Sequence, residues 1–84
     1  MLLSNPLNSI QMNEMKLTLG EKFQFLRQNT KKTEKEIAKE LKLALTTYKK
    51  IEEDFLYPTD SLIRKAAKLY GMTYEELLAV GEEE

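Results

Sequence analysis

The chain has 84 residues, with 13 Lys and Arg against 14 Asp and Glu, so its formal net charge is −1. This length supports one small domain, and a hydrophobic content of 42% is too high for a disordered chain. The sequence has no Cys, His or Trp, which excludes disulfides, thiolate or imidazole metal sites and the catalytic chemistry that depends on those groups. We therefore expect a protein that is not an enzyme and uses no metal or cofactor.

The near-zero net charge hides an asymmetry along the chain. Residues 1–15 hold a single acid, residues 16–50 hold ten Lys or Arg against four acids, and residues 51–84 hold three against nine. The three segments therefore carry −1, +6 and −6. A basic segment of this kind favours a working surface for an anionic partner, and the position of each lysine decides whether it belongs to that surface.

The first residues show no regular pattern. Leu2, Leu3, Leu7 and Ile10 are irregularly spaced, so we expect residues 1–16 to form a flexible N-terminal arm. An artefact of an upstream start codon and a dimerisation strand are the alternatives. No apolar run is long enough for a membrane span and no signal-peptide pattern is present, which predicts a cytoplasmic protein without membrane contact.

From residue 17 onward the pattern is helical, and three Thr-x-x-Glu capping boxes mark helix starts. They pair Thr18 with Glu21, Thr33 with Glu36, and Thr73 with Glu76. Apolar residues three and four apart define the buried face of each helix. The predicted helices cover residues 19–29, 34–42, 45–53, 60–70 and 74–80.

Turn residues separate the last helices. Pro58 ends the preceding segment, and Thr59 caps the fourth helix. Gly71 ends that helix as a left-handed cap, and the fifth helix ends at Gly81. No strand alternation or internal repeat competes with this interpretation. We expect an all-α domain over residues 17–80, a compact five-helix bundle, followed by an acidic tail over residues 81–84.

In their order and spacing, these fragments resemble the Xre or Cro/repressor-type helix-turn-helix domain over about residues 17–78. The fragments are residues 19–23, 26–27, 33–38, 41, 51–52, 58–59, 66–67, 70–73 and 77–78. The resemblance implies a lambda-repressor-like bundle in which the second helix crosses the DNA backbone and the third enters the major groove. It also implies a sequence-specific transcriptional regulator that binds double-stranded DNA as a homodimer.

The resemblance assigns base reading to Leu45, Thr46 and Lys50. Lys50 would donate to guanine, Thr46 would bond a base edge, and Leu45 would meet a thymine methyl. Four further residues lie at positions beside these or beside the phosphate backbone: Lys31, Lys32, Ala44 and Lys49. Lys16 or Lys22 near the first helix adds to the same positive set.

Two residues match positions at which family members tie the first helix to the third. These are Arg27 and Glu52, which we expect to form a structural ion pair. A phosphate contact is the alternative role for Arg27, and the planar guanidinium favours the carboxylate. Tyr48 replaces a core aliphatic, so we expect a buried ring with its hydroxyl at the edge.

The chain departs from the family on the DNA-facing surface. Glu34 stands where a Gln usually bonds a phosphate, and Glu53 and Asp54 stand where a loop usually grips the backbone, so all three acids oppose DNA binding. Ala44 replaces a capping Ser, which leaves the third helix without a side-chain cap unless Thr46 supplies one. Three further lysines, at positions 35, 39 and 42, are expected to point away from DNA.

The loop residues Phe55, Leu56 and Tyr57 allow two interpretations. In the first, Phe55 or Leu56 inserts between the third and fourth helices and Tyr57 shields Pro58. In the second, the three residues form an exposed interface for a protein partner or a second subunit, extended by residues of the last helix. Those residues are Met72, Tyr74 and Leu78. The alternative function is accordingly a protein-interaction module, an antirepressor or accessory subunit, that keeps the fold without reading DNA.

Overall fold

The computed structural model describes residues 16–82, and within this range the chain forms five α-helices and no strand. The helices are α1 Leu19–Asn29, α2 Glu34–Glu40, α3 Leu45–Glu52, α4 Asp60–Leu69 and α5 Tyr74–Leu78. The expected all-α, five-helix fold class is confirmed for this part of the chain. Residues 1–15 of the predicted arm and residues 83 and 84 of the predicted tail lie outside it. None of the described helices is long and apolar enough to cross a membrane.

Side-chain caps begin four of the described helices. The three capping boxes are formed as predicted, at Thr18, Thr33 and Thr73. In the first, Thr18 Oγ1 accepts from the Glu21 amide at 3.1 Å and the Glu21 carboxylate accepts from the Thr18 amide at 2.9 Å. Thr59 caps α4 through the Leu62 amide. Each such cap stabilises its helix by about 1 kcal/mol.

Residues other than glycine adopt left-handed backbone after three of the described helices, and one of these helices, α2, ends earlier than predicted for this reason. Lys42 has φ 60°, and the Leu43 amide donates to the Ala38 carbonyl at 2.8 Å. This Schellman arrangement ends α2 at Glu40, two residues before the predicted end. Lys31 and Asp54 adopt the same conformation after α1 and α3, with φ values of 61° and 65°.

The ends of α3, α4 and α5 lie within two residues of their predicted positions. α3 and α4 each end one residue before the predicted end, and α5 ends two residues before it. Gly71, after α4, has φ 72° as predicted, and Gly81 has φ 80°. Both glycines therefore occupy the left-handed region that favours this residue.

The core lies between α1, α3 and α4, with α2 and α5 closing its sides. The rings of Phe23 and Tyr48 are fully buried with their centroids 6.5 Å apart. The other buried apolar residues are Leu26, Ile37, Ala38, Leu41, Ile51, Ile63, Ala66, Ala67 and Leu77. α3 therefore contributes its buried face to the centre of the domain and leaves the opposite face to solvent.

Lys22 is buried, which removes it from the set of lysines expected to face DNA. Its Nζ donates to the Leu78 carbonyl at the end of α5 and lies 3.1 Å from the Glu82 carboxylate. A cation at this position stabilises the last carbonyls of a helix. The charge of Lys22 thus ties α5 and the following residues to α1.

Two tyrosine hydroxyls are buried with no hydrogen-bond partner among the described residues. They belong to Tyr48 and Tyr70, so the expectation that the Tyr48 hydroxyl lies at the edge of the core is wrong. Burial raises the pKa of Tyr48 far above its ordinary range and raises the pKa of Tyr70 to about 12. The folded domain therefore favours the neutral form of both phenols.

We expect Lys42→Gly to raise the free energy of unfolding by about 0.5–1 kcal/mol, because glycine adopts the left-handed conformation without steric cost. Lys39→Gly, three residues earlier in the last turn of α2, should lower it, by up to about 1 kcal/mol. Urea denaturation of both variants measures the two changes in the free energy of unfolding. A loss of stability in Lys42→Gly would contradict the conformational argument.

We expect stability to fall as the pH rises from about 10 towards 12. The unfolded chain releases its phenolic protons near pH 10, whereas the folded chain holds them to higher pH, so alkali favours the unfolded state. Tyr70→Phe should make the fall shallower, and Tyr57→Phe should not, because the Tyr57 ring is exposed in the folded domain. Denaturation midpoints measured between pH 8 and pH 11.5 provide the check, and equal slopes in all three proteins would refute the assignment.

Candidate nucleic-acid interface

The outward face of α3 presents Thr46, Lys49 and Lys50 to solvent. At 100° per residue, Thr46 and Lys50 lie on the side of the helix opposite the buried Tyr48. Lys49 flanks them and is also exposed. The structure thus brings two lysines and a hydroxyl together on one face of a helix whose other face is fixed in the core.

Two more predicted site residues lie at the start of α3. Leu45 is half-buried and packs against the core, so only part of its side chain is exposed. Ala44 is exposed and begins α3 with no side-chain hydrogen bond, as expected from the missing Ser. The first turn of α3 is therefore held by packing rather than by a cap.

The turn between α1 and α2 carries Lys31 and Lys32, and both side chains are exposed. Lys32 Nζ lies 2.7 Å from the Glu40 carboxylate, and this hydrogen bond raises the pKa of Lys32. Within residues 16–82, Lys31 makes no ion pair. An exposed pair such as Lys32 with Glu40 contributes little to stability, so Lys32 is able to exchange its partner for another anion.

The three acids expected to oppose DNA lie in different environments. Glu34 is half-buried in the first turn of α2, and Glu53 is exposed after α3. The Asp54 carboxylate instead accepts hydrogen bonds from the Gly20 amide at 2.9 Å and from the Thr18 hydroxyl at 2.6 Å. Its negative charge therefore faces the amino end of α1, where the helix dipole favours it.

The close approach of α1 to the end of α3 depends on Gly20. A Cβ at this position would lie 2.5 Å from the backbone oxygens of both Ile51 and Glu52. Gly20 lies in the family fragment 19–23, and this contact is not among the features predicted from the sequence. A glycine in the first turn of a predicted helix, where it costs helix stability, is the signal that indicates such a contact.

Arg27 and Glu52 form the expected ion pair. Arg27 Nε lies 2.7 Å from one Glu52 carboxylate oxygen and Nη2 lies 3.2 Å from the other, while Nη1 donates to the Lys32 carbonyl at 3.1 Å. The Glu52 side chain is 2% exposed and that of Arg27 is 13% exposed. The hydrogen bond to Glu52 raises the pKa of Arg27, and three of the five N–H donors of the guanidinium are engaged within the domain.

The loop after α3 exposes its apolar residues. Phe55 is 78% exposed and Tyr57 is 73% exposed, so Phe55 is not the residue that inserts between α3 and α4. Leu56 is 42% exposed and lines a groove beside α4. Pro58, by contrast, is buried.

The residues proposed to extend this surface are placed differently, and Met72 lies in the turn before α5 rather than in the helix. Met72, Tyr74 and Leu78 are half-buried and pack against the core. The Tyr74 hydroxyl donates to Asp60 at 3.0 Å, and its ring lies 4.3 Å from the Arg64 guanidinium carbon. These contacts join α5 to α4 and leave only part of each side chain for a partner.

No group of carboxylates within residues 16–82 is arranged to hold a metal ion.

A family model described as a helix-turn-helix domain matches residues 20–83, which is more than half of the chain. Searches of curated proteins and of solved structures found no match. The matched range contains all of the contacts between α1 and α3 described above except those of Thr18.

We expect Asp54→Gly to lower the free energy of unfolding by about 1–2 kcal/mol through the loss of the two bonds to α1. Glycine fits the left-handed backbone of this position, so backbone conformation alone would favour the substitution. The control is Glu53→Gly, which removes an exposed acid one residue earlier in the chain. Chemical denaturation of both variants provides the measurement, and a stabilised Asp54→Gly would show that the two bonds contribute less than the gain from placing glycine in left-handed backbone.

Proposed function

The chain belongs to the helix-turn-helix domain family, and we propose that it is a sequence-specific DNA-binding transcriptional regulator of the Xre or Cro/repressor type. The observation that carries this proposal is the exposed face of α3. Thr46 and Lys50 project from it, while Tyr48 and Ile51 hold the opposite face in the core. A turn of four residues joins α2 to α3, which fits a helix-turn-helix pair.

In this proposal α3 enters the major groove of double-stranded DNA. Lys50 donates to guanine O6 or N7, Thr46 bonds an adjacent base edge, and the exposed part of Leu45 meets a thymine methyl. The uncapped first turn beside Ala44 leaves backbone amides for a phosphate. Lys31, Lys32 and Lys49 supply the remaining backbone contacts, all of which depend on salt.

We further propose that two chains bind as a homodimer. Few free lysines surround α3, and Glu34 on α2 and Glu53 after α3 add negative charge, so one domain alone would bind DNA weakly. A dimer places two α3 helices in successive major grooves about 34 Å apart and doubles the phosphate contacts. The corresponding operator is two-fold symmetric.

DNA selection with the full chain tests this function. A random double-stranded library should yield a two-fold symmetric sequence, and fluorescence anisotropy should show affinity falling steeply between 50 and 200 mM salt. Lys50→Ala should weaken binding to the selected site about tenfold or more and relax preference at one base position in each half-site. Lys49→Ala should weaken binding to all sequences similarly.

Lys68→Ala is the matched control, because Lys68 is exposed on α4, outside the α2–α3 pair. It should leave both affinity and preference unchanged. The DNA-binding proposal fails if no sequence is enriched, if affinity does not depend on salt, or if Lys50→Ala and Lys68→Ala behave alike.

One observation favours a second candidate function, a protein-interaction module of the antirepressor or accessory-subunit kind. Phe55 and Tyr57 are largely exposed immediately after α3, where a DNA-binding loop would carry polar or basic residues. If the chain is such a module, the DNA selection enriches no sequence. Phe55→Ser then alters binding of the protein partner, whereas Lys50→Ala does not.

A further inference from the structure

An apolar groove lies between α3, α4 and the loop that joins them. Its volume is about 410 Å³. The apolar residues along it are Leu43, Ile51, Leu56, Tyr57, Pro58 and Leu62. Among residues 16–82, four large hydrophobic side chains are exposed, and Phe55, Leu56 and Tyr57 are three of them. Such a concentration of apolar surface at one place indicates a site that another segment covers.

The N-terminal segment, residues 1–15, has the composition to cover it. Seven of its residues are Met, Leu or Ile, and Glu14 is its only charged side chain. Leu7 and Ile10 stand at its centre, separated by two polar residues. A segment this apolar and this poor in charge gains free energy by burying its side chains against a surface.

The segment joins the domain beside the groove. The Thr18 hydroxyl lies 2.6 Å from the Asp54 carboxylate, and Asp54 is two residues before Leu56 in the groove wall. Fifteen residues reach up to about 50 Å when extended, so the segment is long enough to follow the loop and enter the groove.

We propose that residues 1–15 bind in the groove of the same chain, with Leu7 and Ile10 against the apolar wall formed by Leu56, Tyr57 and Leu62. Attachment at Thr18 favours this occupant over a second copy. A tethered segment meets the groove at an effective concentration in the millimolar range, whereas a second copy must give up free translation and rotation to bind there.

Disulfide trapping in the full chain tests the proposal, because the sequence has no cysteine of its own. The test protein combines Ser9→Cys, between Leu7 and Ile10, with Ser61→Cys at the groove. The control combines Ser9→Cys with Ala79→Cys. Ala79 is exposed, lies outside the groove and is close to the entry of the segment, since a Cβ on nearby Gly81 would lie 2.6 Å from Leu17 Cδ1.

Under mild oxidation we expect an intramolecular bond between positions 9 and 61 to form at least tenfold faster than the bond between positions 9 and 79. Adding Leu7→Ser and Ile10→Ser should lower the first rate to that of the control. Adding Asn8→Ser and Gln11→Ser instead, which removes no apolar group, should leave it unchanged. Circular dichroism verifies that each protein keeps its helices.

Mass spectrometry under non-reducing conditions separates the outcomes. A monomeric cross-linked product with the expected rates supports binding of the segment in its own groove. A cross-linked dimer whose yield rises with concentration would assign the groove to a second copy and overturn the proposal. Equal rates for positions 61 and 79, or no effect of Leu7→Ser and Ile10→Ser, would also overturn it.

Discussion

The contact between the amino end of α1 and the carboxyl end of α3 is the interaction on which the rest of the domain depends. Gly20 lets the two backbones meet without a side chain between them, and the Asp54 carboxylate binds the first turn of α1 from the end of α3. The bidentate pair of Arg27 and Glu52 joins the same helices farther along. α3 has eight residues and no side-chain cap, so its own propensity would not hold it helical. These contacts fix the direction in which Thr46 and Lys50 face solvent.

The same contacts change how the charges of the chain are interpreted. A count along the sequence assigns Lys22 to a DNA-facing set and Asp54 to a set that repels DNA. The Lys22 ammonium is instead buried against the end of α5, and the exposed Asp54 carboxylate is hydrogen-bonded to the first turn of α1. Lys32 has an exposed partner that it is able to exchange. The surface proposed to bind DNA thus carries fewer free cations and fewer free anions than the sequence indicates. Affinity would therefore depend on a small number of lysines around α3 and on doubling them in a dimer.

The features that depend on hydrogen bonds between residues close together in the sequence were predicted correctly. The helix starts follow from Thr-x-x-Glu boxes whose partners are three residues apart, and the pairing of Arg27 with Glu52 follows from the family resemblance. The left-handed backbone at Lys42 was missed because nothing local marks it: a lysine occupies a position that favours glycine. The burial of Lys22 and the approach of Gly20 were also missed, because each depends on residues more than thirty positions away. The sequence left open whether Phe55 is buried or exposed, because that depends on how α3 and α4 are spaced.

Because these contacts join the two helices at several points, α1 and α3 form one cooperative unit. Native-state hydrogen exchange of the unmodified chain tests it most directly, through the Phe23 and Leu26 amides of α1 and the Tyr48 and Ile51 amides of α3. We expect all four to exchange at the same free energy, equal to that of global unfolding, because neither helix opens without the other. Exchange of the α3 amides at a distinctly lower free energy than those of α1 would contradict the claim, since α3 would then unfold while α1 remains folded.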